Sequence, residues 1–137
     1  MSKVYPFAVV ALLLLLPELS VAEDHHRHTG YSDAAVQDAI RRGVDYILST
    51  QKADGSWGNH DREKHPTAET AVVCYALLQC GESPQHPQLE KALQWLIDTE
   101  DRTTYSLAMR CCAWAAANRS TKNKYLKQLQ KEADLLV

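Results

Sequence analysis

Side chains able to bind metal gather in two places along this 137-residue chain. His60, Asp61, Glu63, His65 and Glu69 fall within ten residues and offer the oxygen and imidazole donors a divalent cation takes. The five-residue step from His60 to His65 matches no zinc signature. A plain polar loop explains the run as well, and no cofactor is expected. Further upstream, Glu23-Asp24-His25 would make a square-planar Cu(II) or Ni(II) site if the Glu23 amine were free, with His26 and His28 as extra donors. A solvated polar lead is the simpler account. The thiols are Cys74, Cys80, Cys111 and Cys112. Cys74 and Cys80 lie too far round one helix to bond, and Cys111–Cys112 would be a strained vicinal bridge, which leaves a link between helices or four small buried apolar groups. Arg110 is the one charge in a long apolar stretch. Buried there it needs a partner, a ligand or water, and could grip an anion in a cavity. Snorkelling outward at a helix edge is the expected solution.

The elements that must position these groups are helical. Alanine and leucine dominate, and only five glycines are present. A hydrophobic fraction of 45%, a charged fraction of 23% and a formal charge of −2 exclude a disordered chain and give no basic surface for nucleic acid. Residues 1–22 have the marks of a signal peptide: Lys3, an apolar run from Phe7 to Leu16, Pro17, then Ser20-Val21-Ala22. Export to the periplasm, cell envelope or outside is expected. A span needs roughly 20 apolar residues, so no transmembrane segment is expected once the leader is removed. Residues 23–31 read as a disordered lead and 32–137 as one repeat domain.

Ser32 caps a first helix whose Val36, Ile40, Val44 and Ile47 share a face. Asp54-Gly55-Ser56 is a turn, and a polar loop follows to Pro66. A second helix runs from about Thr67 to Cys80 without a charge after Ala71, with Gly81 as its left-handed stop. A third starts at Pro87 and carries Leu89, Leu93 and Leu96 on a stripe beside Ile97. A fourth covers about Thr104 to Ala117. A fifth begins near Thr121 with Leu126, Leu129, Ala133 and Leu136 as its apolar face. Amphipathic and apolar helices alternate, and the alternation is a repeat. Ile40–Thr50 aligns without gaps on Leu89–Thr99, and Gln128-Leu129-Gln130-Lys131 echoes Gln88-Leu89-Glu90-Lys91. In that register Val137 falls inside a helix, so the chain is expected to stop partway through its third hairpin.

Arg42, Gly43, Tyr46, Ile47, Gln51, Gly55 and Trp57 satisfy every fixed position of the glutamine–tryptophan repeat and so resemble squalene cyclases and their relatives. The second copy keeps Lys91, Ala92, Trp95 and Leu96, then has Glu100 for the glutamine and no Gly-x-Trp. The resemblance covers Ser32 to Val137 and is nearest to the repeat region of exported bacterial proteins. It implies an all-α fold, an incomplete α/α toroid of about five helices in two and a half hairpins, with apolar inner helices facing a cavity. Terpene cyclases, protein prenyltransferase β-subunits and some polysaccharide lyases share that architecture. The motif has a structural reason: Gln51 can bond free backbone groups at helix ends and stack on Trp57, and Gly55 turns the chain tightly enough to return the indole. Arg110, Tyr75 and Trp114 are the cavity candidates. The enzymes' own chemistry is missing: no Asp-x-Asp-Asp acid, no convincing zinc set, no thioester segment. The expected function is a non-catalytic scaffold or binding module. The alternatives are a fragment or subunit of a terpene-cyclase-like or prenyltransferase-like enzyme, and a polysaccharide-binding module using Tyr75, Tyr105 and Trp114. An open arc leaves apolar surface for self-association or for further repeats.

Overall fold

A computed structural model of the chain describes residues 32–58 and 65–136. The chain separates into Met1–Tyr31 and Ser32–Val137, and every described residue belongs to the second unit. The signal peptide, the 23–31 lead, His25, His60, Asp61 and Val137 lie outside the described residues.

The described residues form five α-helices and no strands, an incomplete α/α toroid. Helix α1 spans Asp33–Ser49, and the Ser32 side chain caps it by accepting from Ala35 N–H at 3.2 Å. Helix α2 spans Ala68–Gln79. It ends in a Schellman turn: Gly81 sits at φ +92°, its N–H reaches Leu78 O and Glu82 N–H reaches Leu77 O. Helix α3, Pro87–Asp98, begins on a proline whose missing N–H costs nothing there. Helix α4 spans Thr104–Asn118 and α5 spans Leu126–Asp134. None of these helices is long and apolar enough to cross a membrane.

The apolar helices α2 and α4 make the most extensive contact, α5 packs on α4, and α3 packs on α2. Leu89, Ala92, Leu93 and Leu96 of α3 are fully buried against Ala71, Cys74 and Leu77 of α2 and Ala113, Trp114 and Ala117 of α4. The α3 stripe therefore behaves as its spacing predicts. The α1 stripe does so only from Val44 onward: Val44 is 7% exposed, whereas Ile40 is 39% and Val36 46% exposed.

Three expectations are corrected. The fifth helix starts at Leu126 rather than Thr121, because Lys122 and Asn123 adopt positive φ (49° and 64°) and no helix runs through them. Its buried residue is Glu132; of the expected stripe Leu129 is half-buried against the core, while Leu126, Ala133 and Leu136 are exposed. The small apolar role fits Cys74 alone. Burial pushes that thiol up to about 12, Cys80 and Cys112 are exposed, and all four cysteines are free.

Candidate functional site

Of the seven motif residues Ile47 is half-buried against the core, and the other six divide into two groups. Arg42, Gly43 and Tyr46 face outward, with Arg42 paired to Asp38 one turn back. Gln51, Gly55 and Trp57 close a junction between α1, α2 and α3. Lys52 N–H reaches Ser56 O and Gly55 N–H reaches Lys52 O, which makes the turn tight. Asp54 Oδ1 accepts from both Ser56 N–H (2.9 Å) and Ser56 Oγ (2.7 Å), holding it in shape. The turn delivers Trp57 into the core at 5% exposure. Its indole Nε1 donates to Ile47 O at 2.8 Å and its backbone N–H donates to Thr70 Oγ1 at 3.1 Å.

Gln51 Nε2 donates to Gly55 O (2.9 Å) and to Gln88 O in the first turn of α3 (2.7 Å). Gln88, which the sequence did not single out, answers it: its Nε2 donates to Leu48 O at 2.7 Å. Ile47 and Leu48 are among the last carbonyls of α1, which lack the regular helical partner four residues on and accept instead from Thr50 N–H and Gln51 N–H. Trp57 and Gln88 thus each add a bond at the end of α1, and the reciprocal bonds of Gln51 and Gln88 fasten it to α3. Lys91 Nζ adds a bond to Ala53 O at 2.6 Å.

The two motif glycines differ accordingly. Gly55 has φ +97°, and a Cβ there would lie 2.9 Å from Lys91 Cγ and 3.1 Å from its carbonyl oxygen. Gly43 sits mid-helix, and a Cβ added to it would meet nothing within 4 Å. Gly55→Ala is expected to destabilise by more than about 1 kcal/mol, and Gly43→Ala to stabilise by about 0.5–1 kcal/mol. Urea midpoints that moved in the same direction would overturn that division of roles.

A second junction lies between α4 and α5. Arg110 does not snorkel; it is 5% exposed. Its Nε donates to Glu132 Oε1 at 2.9 Å, Nη2 donates to the same oxygen, and Nη1 donates to Thr99 O at 2.8 Å. The other Glu132 oxygen accepts from Trp114 Nε1 at 2.8 Å. Trp114 is fully buried and stacked on Tyr125, centroids 5.4 Å apart. Its ring therefore cannot line an open aromatic row for a sugar. Tyr75 is half-buried and packs against the core, while Tyr105 is exposed.

Asp101, in the loop before α4, forms the third polar centre. Its Oδ2 accepts from Thr67 N–H (3.0 Å) and Thr67 Oγ1 (2.8 Å) at the start of α2. Its Oδ1 accepts from Thr103 N–H (2.8 Å) and Thr103 Oγ1 (2.9 Å). Burial pushes the carboxyl up, but the bonds from Thr103 N–H, Ser106, Thr67 and the Thr103 hydroxyl outweigh it and hold it at about 2. Such a depressed value adds stability above the ordinary 3.8, and that stability is lost as pH falls from about 4 through about 2. Asp101→Asn should flatten this part of the acid limb, removing at most about 2 kcal/mol of pH dependence. Thermal midpoints of the two proteins that fell in parallel between those pH values would refute the assignment.

Of the metal candidates, His65 and Glu69 are described, Glu69 in the first turn of α2. His65 Nδ1 lies 3.4 Å from Thr103 Oγ1 and the His65 ring meets Tyr105 edge-on at 5.4 Å. Among the described residues no three His, Cys, Asp or Glu side chains converge on a metal position. A recess of about 370 Å³ opens beside Asp101, Arg110 and Glu132. A more apolar one of about 380 Å³ lies over Ala68, Val72, Val73 and Tyr105, with Glu69 at its edge.

A family model described as the squalene-hopene cyclase N-terminal domain matches residues 26–106. Lanosterol synthase erg7A of Aspergillus fumigatus is 34% identical over 70 residues, covering 44% of this chain and 9% of that protein. The match thus spans less than a tenth of that relative's length. No solved structure matches.

Proposed function

We propose, from the premise that this chain belongs to the squalene-hopene cyclase N-terminal domain family, that it is an exported helical scaffold or binding module of that fold which performs no catalysis itself. A shared fold does not carry an activity with it. The supporting observation is how the buried carboxylates are used. Cyclase chemistry needs a carboxylic acid that hands its proton to an alkene. Among the described residues the buried carboxylates are Asp101 and Glu132. Asp101, held at about 2, has no proton to give, and Glu132 is taken up by Arg110 and Trp114. Both stabilise junctions between helices.

A second reading, a fragment or subunit of a cyclase-like enzyme, draws on the short share of lanosterol synthase that the chain matches. Incubating the purified chain with squalene separates the two. The scaffold predicts no cyclic product by gas chromatography and mass spectrometry, and any cyclised product would overturn it. Export is tested on the secreted protein: an N-terminus at Glu23 supports it, and retention of Met1 refutes it.

A further inference from the structure

Among the described residues, helices α1 and α5 carry exposed apolar groups, and the α3 counterpart of Ile40 on α1 is covered. By the gapless register Ile40 corresponds to Leu89 and Gly43 to Ala92. In α3 both positions are fully buried in the core cluster with α2, α4 and Trp57, and the turn of the preceding hairpin is fastened to the same helix, with Gly55 against Lys91 and Gln51 bonded to Gln88 O. In α1 Ile40 is 39% exposed, Val36 46%, and the space over Gly43 is open. The same kind of surface, occupied once within the fold, is therefore presented again at its leading edge. At the trailing edge Leu126, Leu135 and Leu136 are 39%, 50% and 40% exposed. The charges at the two edges are opposite. Helix α1 carries Asp33, Asp38 and Asp45 against Arg41 and Arg42. Residues 122–134 carry four lysines against Asp134 and Glu132; Lys124 is met by Glu90 of α3 and Glu132 by Arg110, which leaves Lys122, Lys127 and Lys131 against Asp134.

We propose that the α1 edge of one copy docks on the α5 edge of a second copy, continuing the order of outer helices α1, α3, α5 into the next molecule. The contact is head-to-tail, so each copy keeps one open edge and the array can grow or close into a ring. Burial of the exposed leucines, Val36 and Ile40 drives it. The opposed charges set the direction and make it weaken as salt is raised. This extends the scaffold assignment by naming its partner, and the two fail separately: a cyclised product would leave association untouched, and a monomer would leave the squalene result untouched.

The test is the mass of the full chain in solution, by light scattering over a wide concentration range. The expected result is a mass that rises with concentration and falls back with salt. Ile40→Asp and Leu135→Asp each block one edge and should weaken self-association at least about tenfold, a change of about 1.4 kcal/mol. Far-ultraviolet circular dichroism confirms that each variant keeps its helices, and Val36→Asp replaces any that does not. Mixed in equal amounts, the two blocked variants retain one complementary pair of edges and should form a dimer and nothing larger. A parent chain that stays monomeric overturns the proposal. So does a mixture that stays monomeric, or an assembly that Leu135→Asp leaves intact.

Discussion

Glu132→Ala is expected to destabilise the fold by about 3–5 kcal/mol, far more than its position on a short, mostly exposed helix suggests. The carboxylate is 3% exposed and faces a guanidinium that is 5% exposed. Removing it strands the Arg110 charge and the Trp114 indole N–H together where both side chains are almost wholly buried. The attraction within the pair is not what makes the loss large, because bringing two charges out of water cancels much of that gain. The cost comes from the orphaned partner. Arg110→Met combined with Glu132→Leu should therefore recover most of the stability lost by Glu132→Ala, short of about 1–3 kcal/mol for the indole N–H. Lys131→Ala, one residue away and exposed, should stay within about 0.5 kcal/mol. Urea midpoints read all three. A Glu132→Ala variant as stable as Lys131→Ala would show that the pair is not a structural link.

Where burial follows local periodicity, the sequence alone sufficed. Leu89, Leu93 and Leu96 recur at helical spacing and are buried, and Gly81 follows an apolar run and stops α2. Glu132 could not be found that way, since the reason for its burial lies 22 residues upstream at Arg110. Two signals did point to it. Arg110 in an otherwise uncharged helix demanded a partner, and the Gln88–Gln128 register sets Glu132 where Ala92 is buried. Asp101 offered less. It is one carboxylate in a polar loop, and only folding brings Thr67 from 34 residues away to meet it. The turn at Lys122–Asn123 was hidden because neither residue is a glycine.

The two junctions perform one task with different chemistry. In the first, side chains from the turn and from α3 add bonds to the terminal carbonyls Ile47 O and Leu48 O, which also accept from the Thr50 and Gln51 N–H groups. In the second, where Glu100 stands for the glutamine and no Gly-x-Trp follows, Arg110 reaches Thr99 O at the end of α3 and binds Glu132 on the next outer helix. A buried ion pair replaces a neutral amide and an indole. The replacement is more costly to break at one partner, because the charge left behind is buried.

Trp57→Ala should cost about 3–5 kcal/mol, matching the second junction in size but not in origin. Here the loss is volume: the indole is 5% exposed within the cluster that includes Val44, Ala71 and Leu89, and its removal leaves a cavity. Trp57→Phe keeps most of that volume and removes only the N–H donor to Ile47 O. That carbonyl still accepts from Thr50 N–H and Thr50 Oγ1, so the expected loss is only about 1 kcal/mol for the bond plus the modest volume change. Gln51→Ala removes the bonds to Gly55 O and Gln88 O and should fall between the two, about 1–3 kcal/mol. Both side chains hold the same turn, so Gln51→Ala combined with Trp57→Ala should cost less than the sum of the two single changes, because a turn already loosened has less left to lose. Strict additivity would mean that the glutamine and the tryptophan hold separate parts of the molecule rather than one junction.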